Sequence, residues 1–212
     1  EERGILSNFP EDKQTAETAL LFLQLIMRKL KRPEKNNGKP GRAAVVVPNG
    51  TLFGDGVCAR IKEELLKNFN LHTIVRLPKG VFAPYTDIET NLLFFDRSGP
   101  TKDIWYYQVP LPEGRKSYTK TKPMQYTEFA PVLEWWKKRE ENEHAWRVKV
   151  EDVLKYDESG RLVSANLDIK NPNAPEDLEH RPPEELIEDI FNKEYRVIEI
   201  INEIKEALGK KP

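Results

Sequence analysis

The chain has 212 residues, which is enough for one sizeable domain or for a domain with an extension. Hydrophobic residues make up 38% and charged residues 33%, a balance typical of a globular protein with a large exposed surface. Because the formal net charge is -1, the overall charge gives no reason to expect nucleic-acid binding. Such binding would need a local basic patch or a basic assembly.

The cysteine and histidine residues bear on disulfide, nucleophilic and metal chemistry, and the length of the apolar runs bears on the cellular compartment. Cys58 is the only cysteine, so no internal disulfide is expected, and we interpret it as a small packed residue rather than a nucleophile. His72, His144 and His180 lie far apart and show no metal-ligand spacing, so no metal site is predicted. No apolar run approaches the roughly 20 residues of a membrane span, and we expect a cytoplasmic protein.

The first predicted element is a helix over residues 15–30, where apolar residues recur at the spacing of one inward helix face. A turn over residues 33–41 follows. Residues 42–47 then read Arg-Ala-Ala-Val-Val-Val without alternation, which favours a central strand covered on both faces.

A strand, helix and strand follow one another in residues 42–77, which predicts a right-handed crossover unit. The helix covers residues 59–69 and the second strand residues 73–77. A third strand over 91–96 is reached by the loop 78–90, which is too short for a helical crossover. We therefore expect this strand to run antiparallel to its neighbour.

Glycine-bearing turns end the first two strands. One is Pro48-Asn49-Gly50, and the other begins at Leu77-Pro78-Lys79-Gly80. In an open α/β sheet such turns form the ligand-facing edge, so this edge is the candidate site.

Beyond residue 100 the chain predicts one more strand over 104–109, and then a helical region around residues 134–146. We interpret Trp135, Trp136 and Trp146 as an aromatic cluster that anchors an extension, and favour this over a base-stacking platform. Residues 171–182 are expected to form a linker.

A long helix is predicted over residues 183–208, with apolar residues repeating every seven positions. At about 1.5 Å per residue it is roughly 40 Å long, more than a small domain usually covers. Two interpretations stay open: a terminal helix docked on its own domain, and a helix that binds a partner. The apolar residues of its stripe are Ile187, Ile190, Phe191, Val197, Ile198, Ile201, Ile204 and Leu208.

Several segments together resemble the modification (M) subunit of type I restriction-modification systems, a family of N6-adenine DNA methyltransferases that use S-adenosylmethionine. The resemblance covers nearly the whole chain and is carried by residues 15–24, 41–50, 77–85, 90–95, 104–107 and 166–172. It implies the carboxy-terminal half of a Rossmann-like α/β methyltransferase sheet, mixed and with its last strand antiparallel, followed by an α-helical extension. The implied domains are 1–110 for the half-sheet, 111–182 for a family-specific extension and linker, and 183–212 for the helix.

Two motifs of this family do not occur in the sequence. They are the glycine-rich cofactor turn and the Asn-Pro-Pro-aromatic tetrad that binds the target amine, since Asn171-Pro172 is followed by Asn173-Ala174. The resemblance therefore implies an adenine-specific DNA methyltransferase whose catalytic residues, and most of whose cofactor contacts, lie outside this chain. By itself the chain is expected to be inactive.

In related adenine methyltransferases, the loop after the sixth strand supplies an aromatic residue that stacks on the flipped base. Phe82 matches that position, with Tyr85 as its neighbour, although an ordinary loop aromatic that closes the sheet edge is the alternative. Pro48 and Asn49 are expected to shape the same pocket. Arg42 and Lys79 are candidate phosphate contacts.

The resemblance implies four partners: DNA, the specificity (S) subunit, the restriction (R) subunit and the remaining amino-terminal part of the same polypeptide. The specificity subunit is expected to bind the long helix. A non-catalytic binding module for protein assembly is the second hypothesis. A different Rossmann-like enzyme, such as a small-molecule methyltransferase, is the third.

Overall fold

A computed structural model describes residues 7–173 and 183–209, with side chains in the second range described at 187 and 190–205. The chain divides into two compact units, Glu1–Ala174 and Pro175–Pro212. The first contains the β-sheets and the second a long helix. The bounds of the elements are α1 Thr18–Lys29, β1 Arg42–Pro48, α2 Gly50–Phe53, α3 Val57–Asn68, β2 Asn70–Arg76, β3 Thr90–Asp96, β4 Asp103–Gln108, α4 Ala130–Lys137, β5 Ala145–Lys149, α5 Val150–Val153, β6 Leu154–Tyr156, β7 Leu162–Ala165 and α6 Pro183–Gly209.

The main sheet has five strands in the order β1-β3-β2-β4-β5. Strands β2 and β4 are parallel, and the other three pairs are antiparallel. The prediction that β3 runs antiparallel to its neighbour is confirmed. Because β3 lies between β1 and β2, the helix α3 connects two strands of the same direction that are not hydrogen-bonded to each other.

The prediction that β1 is a central strand covered on both faces is wrong for the described residues. In the sheet, β1 pairs with β3 alone and forms the edge. Its burial alternates, with Val47 buried while the side chain of Val46 is 48% exposed. The apolar run therefore reflects a strand with one covered face and one open face, which a sequence pattern does not distinguish from a strand buried on both faces.

Helices α1 and α3 pack their apolar stripes on one face of the sheet. Leu23, Ile61 and Leu65 on these helices are buried in one cluster with Leu93 and Phe95 of β3. The helix predicted over residues 15–30 is thus confirmed, beginning at Thr18. These helices cover the first face of the sheet.

On the second face, α4 is held by its tryptophans. The Trp136 ring lies 4.8 Å from the ring of Phe94, and the Trp135 ring lies 5.0 Å from that of Tyr107. The interpretation as an anchor is confirmed for Trp135 and Trp136 and wrong for Trp146, which stacks on Tyr106 in the core cluster of the first face. The predicted helical region is wrong in its second half, because α4 ends at Lys137 and Trp146 lies in β5.

Strand β5 extends the same sheet that β1 to β4 form, so the predicted boundary after residue 110 falls inside the first compact unit. In the second unit, α6 is one continuous helix of 27 residues, and this prediction is confirmed. Within the described residues, no helix has the length and apolar character needed to cross a membrane.

Candidate functional site

The carboxyl ends of β1 and β2 meet at a polar junction centred on Asn49. The Asn49 side-chain oxygen accepts a hydrogen bond of 3.1 Å from the Asn91 amide, and the Arg76 guanidinium lies 3.5 Å from the same oxygen. The backbone N–H of Asn49 donates to the carbonyl of Glu89 at 2.8 Å. These contacts fix Asn49 in one orientation at the end of β1.

A segment that we call the strap, residues 166–173, runs along this junction. The Leu167 N–H donates to the Leu52 carbonyl at 2.8 Å, and the Tyr106 hydroxyl donates to the Leu167 carbonyl at 3.0 Å. Arg76 forms an ion pair with Asp168 and donates to the carbonyl of Ile169 at 3.0 Å. The strap therefore connects α2, β4 and the end of β2.

The strap corrects the prediction that the linker starts at Asn171. The Asn171 side chain donates to the Glu143 carbonyl at 2.7 Å, and the Asn173 side chain donates to the Asn142 carbonyl at 3.0 Å. Both bonds hold these residues to the turn before β5. The rest of the predicted linker, 174–182, lies outside the described residues.

The loop between β2 and β3, residues 77–89, carries the aromatic candidates, and we call it the aromatic loop. Its base is closed by the Leu77 N–H, which donates to the Thr90 carbonyl at 3.0 Å. Gly80 has φ +82°, and a Cβ there would lie 2.2 Å from the carbonyl oxygen of Tyr118. The backbone of Tyr118 donates to the Lys79 carbonyl at 3.0 Å. The loop is thus fixed at its base and at Gly80.

Two aromatic side chains of this loop face solvent. Phe82 is 39% exposed and Tyr85 is 93% exposed, and Ile88, which no sequence motif indicated, is also exposed. Exposed apolar groups on a fixed loop lose little conformational entropy when a flat ring packs on them. The arrangement suits a stacking surface.

The predicted site residues do not all lie together. Pro48 and Asn49 are half-buried at the base of the aromatic loop, where Pro48 pairs with Thr90, and Lys79 is exposed just beyond β2. Arg42 lies at the opposite end of β1, about 20 Å away at 3.3 Å per residue. The two predicted phosphate contacts therefore lie at opposite ends of the strands.

Sequence reasoning missed Arg76, Asn91 and Asp168. Asn91 is 1% exposed at the start of an otherwise apolar strand, and a buried amide needs a partner. A polar residue in an apolar strand was therefore the sequence signal that could have identified Asn91.

Two buried hydroxyls near the junction, Thr51 Oγ1 and Thr90 Oγ1, have no partner among the described residues. Burial raises the pKa of Tyr106, so this phenol stays a neutral donor to the strap.

No group of His, Cys, Asp and Glu in the described ranges has the geometry to hold a metal ion. The thiol of Cys58 is buried and lies 3.4 Å from the Thr51 carbonyl. Burial raises the pKa of this thiol, which suits a packed residue better than a nucleophile.

A family model described as N-6 DNA Methylase matches residues 4–180 of the chain. The methylase subunit of the type I restriction enzyme EcoEI from Escherichia coli is 46% identical over 216 residues, which cover 99% of this chain and 41% of that protein. The chain therefore spans about two fifths of this relative.

Two solved structures are similar as well. One is a modification subunit assigned to a type I restriction enzyme from Vibrio vulnificus YJ016, with 71% identity and a TM-score of 0.81, covering 85% of this chain and 37% of that one. The other comes from work on complex assembly and conformational transition of the type I R-M system, with 40% identity and a TM-score of 0.69, covering 98% of this chain and 42% of that one.

The match to the family model spans the main sheet, the aromatic loop and the strap. It includes every residue of the polar junction. The chain belongs to the N-6 DNA methylase family.

Proposed function

We propose that this chain is part of a type I restriction-modification N6-adenine DNA methyltransferase and forms the target-base side of its pocket. The observation that carries the proposal is the exposure of Phe82 and Tyr85 on a fixed loop at the carboxyl edge of the sheet. In the mixed sheet, this edge corresponds to the ligand-facing edge of a Rossmann-like half-fold.

The reaction explains why such a surface is needed. The amine of adenine is unreachable inside a duplex, so the base must leave the stack and be held by stacking in the enzyme. An aromatic side chain offers that stacking for about 1 to 3 kcal/mol per base. Phe82 serves as the stacking ring, with Tyr85 beside it, and Lys79 lies close enough along the chain to meet a flanking phosphate.

The polar junction does not supply the groups that the chemical step needs. Polarising the amine requires a free amide or carboxylate oxygen, and the side-chain oxygen of Asn49 already accepts from Asn91. The half-buried carboxylate of Asp168 is paired with Arg76, and the glycine-rich cofactor turn of the family does not occur in the sequence. These residues do not fit S-adenosylmethionine. We propose that cofactor binding and methyl transfer depend on the rest of the polypeptide, and that this chain alone is inactive.

The exposed face and unpaired edge of β1 also support the proposal that the rest of the polypeptide completes the enzyme. The exposed Val46 of β1 and its free strand edge are features that proteins normally cover. We propose that the remaining part of the polypeptide covers them.

The experiment is Phe82→Ala in the complete methyltransferase with its specificity subunit. The loss of stacking predicts a turnover reduced about tenfold or more, with unchanged affinity for S-adenosylmethionine. Phe22→Ala is the matched control, because Phe22 is an exposed phenylalanine on α1, 64% exposed. Unchanged turnover in Phe82→Ala removes this residue from the pocket.

The helix α6 supports a second role in assembly. Its apolar stripe is exposed at each described position, Ile187, Ile190, Phe191, Val197, Ile198, Ile201 and Ile204, while the side chain of Leu208 lies outside the described residues. An exposed stripe of this length is typical of a helix that packs on another helix. We propose the specificity subunit as its partner, within an assembly that also contains the restriction subunit and DNA.

This role is tested by co-purification of the complete subunit with the specificity subunit. Ile201→Asp places a charge in the stripe and is expected to abolish the complex. Asn202→Asp adds the same charge one position away and is expected to preserve it. If Ile201→Asp breaks the assembly while Phe82→Ala leaves turnover unchanged, the chain is a non-catalytic assembly module.

A further inference from the structure

A cavity lies at the end of the sheet opposite to the aromatic loop. It has a volume of about 580 Å³ and is lined by the first residues of β2 and β4, the turn after β3, and residues beyond α4 and in β5. Its charged and aromatic lining residues are His72, Lys102, Asp103, Trp105, Arg139 and Arg147. No residue of the polar junction contributes to it.

Arg139 is the unusual residue of this cavity. Its guanidinium lies 4.3 Å from the centre of the Trp136 ring and 5.7 Å from that of Trp135. It is half-buried, and within the described ranges its side chain has neither an ion pair nor a hydrogen bond. Half-burial takes part of the hydration from the guanidinium, and the two rings supply only part of the compensation. Burial lowers the pKa of Arg139 accordingly.

Other positive groups line the same cavity. The Arg147 guanidinium lies 5.6 Å from the centre of the Trp105 ring, and Lys102 is exposed at the rim. The pKa of His72 is lowered by burial and then by the positive charge of Arg139, so the two groups are close. Asp103 is the one carboxylate among the lining residues, against three permanent cations.

We propose that this cavity binds a phosphate group, through Arg139 and Arg147. The guanidinium presents N–H donors in a planar fork that matches two phosphate oxygens, and stacking on tryptophan limits its rotation. Both arginines are held this way, on Trp136 and Trp105, so their donors are arranged before the ligand arrives. A bound phosphate supplies the acceptor that Arg139 lacks. The site is independent of the proposed base pocket, since the two share no residue.

The phosphate can belong to a nucleic-acid backbone or be a free anion. The test follows the imidazole NMR signals of His72 in the 212-residue chain during titration with inorganic phosphate, and separately with a short DNA duplex at low salt. Wherever an anion binds, it is expected to shift these signals and to raise the pKa of His72. Duplex binding that phosphate displaces assigns the DNA backbone, and a response to inorganic phosphate alone assigns a free anion.

Arg139→Gln removes the charge and is expected to weaken binding by about tenfold or more, the size of one charge-assisted contact. Arg147→Gln changes an exposed residue, so it tests the site without disturbing packed side chains. Arg115→Gln is the matched control, because its guanidinium lies 5.6 Å from the ring of Tyr118, outside the cavity. Unshifted His72 signals in both arms, or unchanged binding in both the Arg139 and Arg147 variants, would overturn the proposal.

Discussion

The guanidinium of Arg76 at the end of β2 forms an ion pair with Asp168, which lies 92 residues further along the chain. The same guanidinium donates to the carbonyl of Ile169 and approaches the side chain of Asn49. One side chain thus links the strap, β2 and the end of β1. Its position at the base of the aromatic loop makes it a support for the proposed base pocket.

Asp168→Asn is the first test of this support. The carboxamide retains the shape but loses the charge-assisted bond, so we expect the free energy of unfolding to fall by about 1 to 2 kcal/mol. Chemical denaturation measures the change. Glu134→Gln is the control, because its ion pair with Lys137 is about 70% exposed on both sides and should contribute less than about 0.5 kcal/mol. Equal losses in both variants would show that the Arg76 pair is no stronger than a surface pair.

Gly80→Ala tests the anchoring of the aromatic loop. The added methyl group meets the Tyr118 carbonyl and also forces a side chain into positive φ, so we expect a loss of about 3 kcal/mol in the free energy of unfolding. Gly114 has φ +76°, and a Cβ added there would have no atom within 4 Å, so Gly114→Ala isolates the backbone cost, about 1 kcal/mol. A loss for Gly80→Ala no greater than this control would mean that the loop does not pack on Tyr118.

Lys62 offers a prediction with a pH dependence. It is 1% exposed, and its amine donates to the Leu52 carbonyl at 2.7 Å. Burial lowers its pKa in the folded state, while the unfolded chain titrates near 10.4. The unfolded state therefore binds more protons between these two values, and stability from this group rises as pH increases through that window.

Lys62→Met should remove that pH-dependent gain and raise the free energy of unfolding at neutral pH by about 1 kcal/mol. The Leu52 carbonyl keeps the N–H of Leu167 as a donor, so it is not left unpaired. Denaturation curves at neutral pH and near pH 10 measure both effects. Lys29→Met, at an exposed lysine on α1, is the control. A loss above about 1 kcal/mol for Lys62→Met would show that its hydrogen bond outweighs the cost of burial.

The sequence predicted those parts of the fold that depend on local information. The direction of β3 followed from a short loop, and the helices α1 and α6 followed from their apolar spacing. The edge position of β1 was not predictable, because an apolar run does not report which strand lies beside it. Trp146 was assigned to a helix because charged residues surround it, whereas pairing with β4 places it in a strand.

The candidate site was predictable in a similar way. The turns after β1 and β2 indicated the end of the sheet where the aromatic loop and the polar junction lie, and the resemblance to a family singled out Phe82 and Tyr85; that this is the site stays a prediction. The contact between Arg76 and Asp168 spans 92 residues, and no local pattern relates the two. Asn91 was detectable in principle as a polar residue in an apolar strand.

Photo-crosslinking from the target base tests the central claim most directly. The complete methyltransferase with its specificity subunit is bound to DNA that carries 5-iodouracil in place of the target adenine, a mispaired base that leaves the stack easily. Mass spectrometry then locates the crosslinked residue. We expect a crosslink at Phe82 or Tyr85, with loss of the Phe82 adduct in Phe82→Ala. A crosslink found only outside residues 77–89 would contradict the proposed pocket.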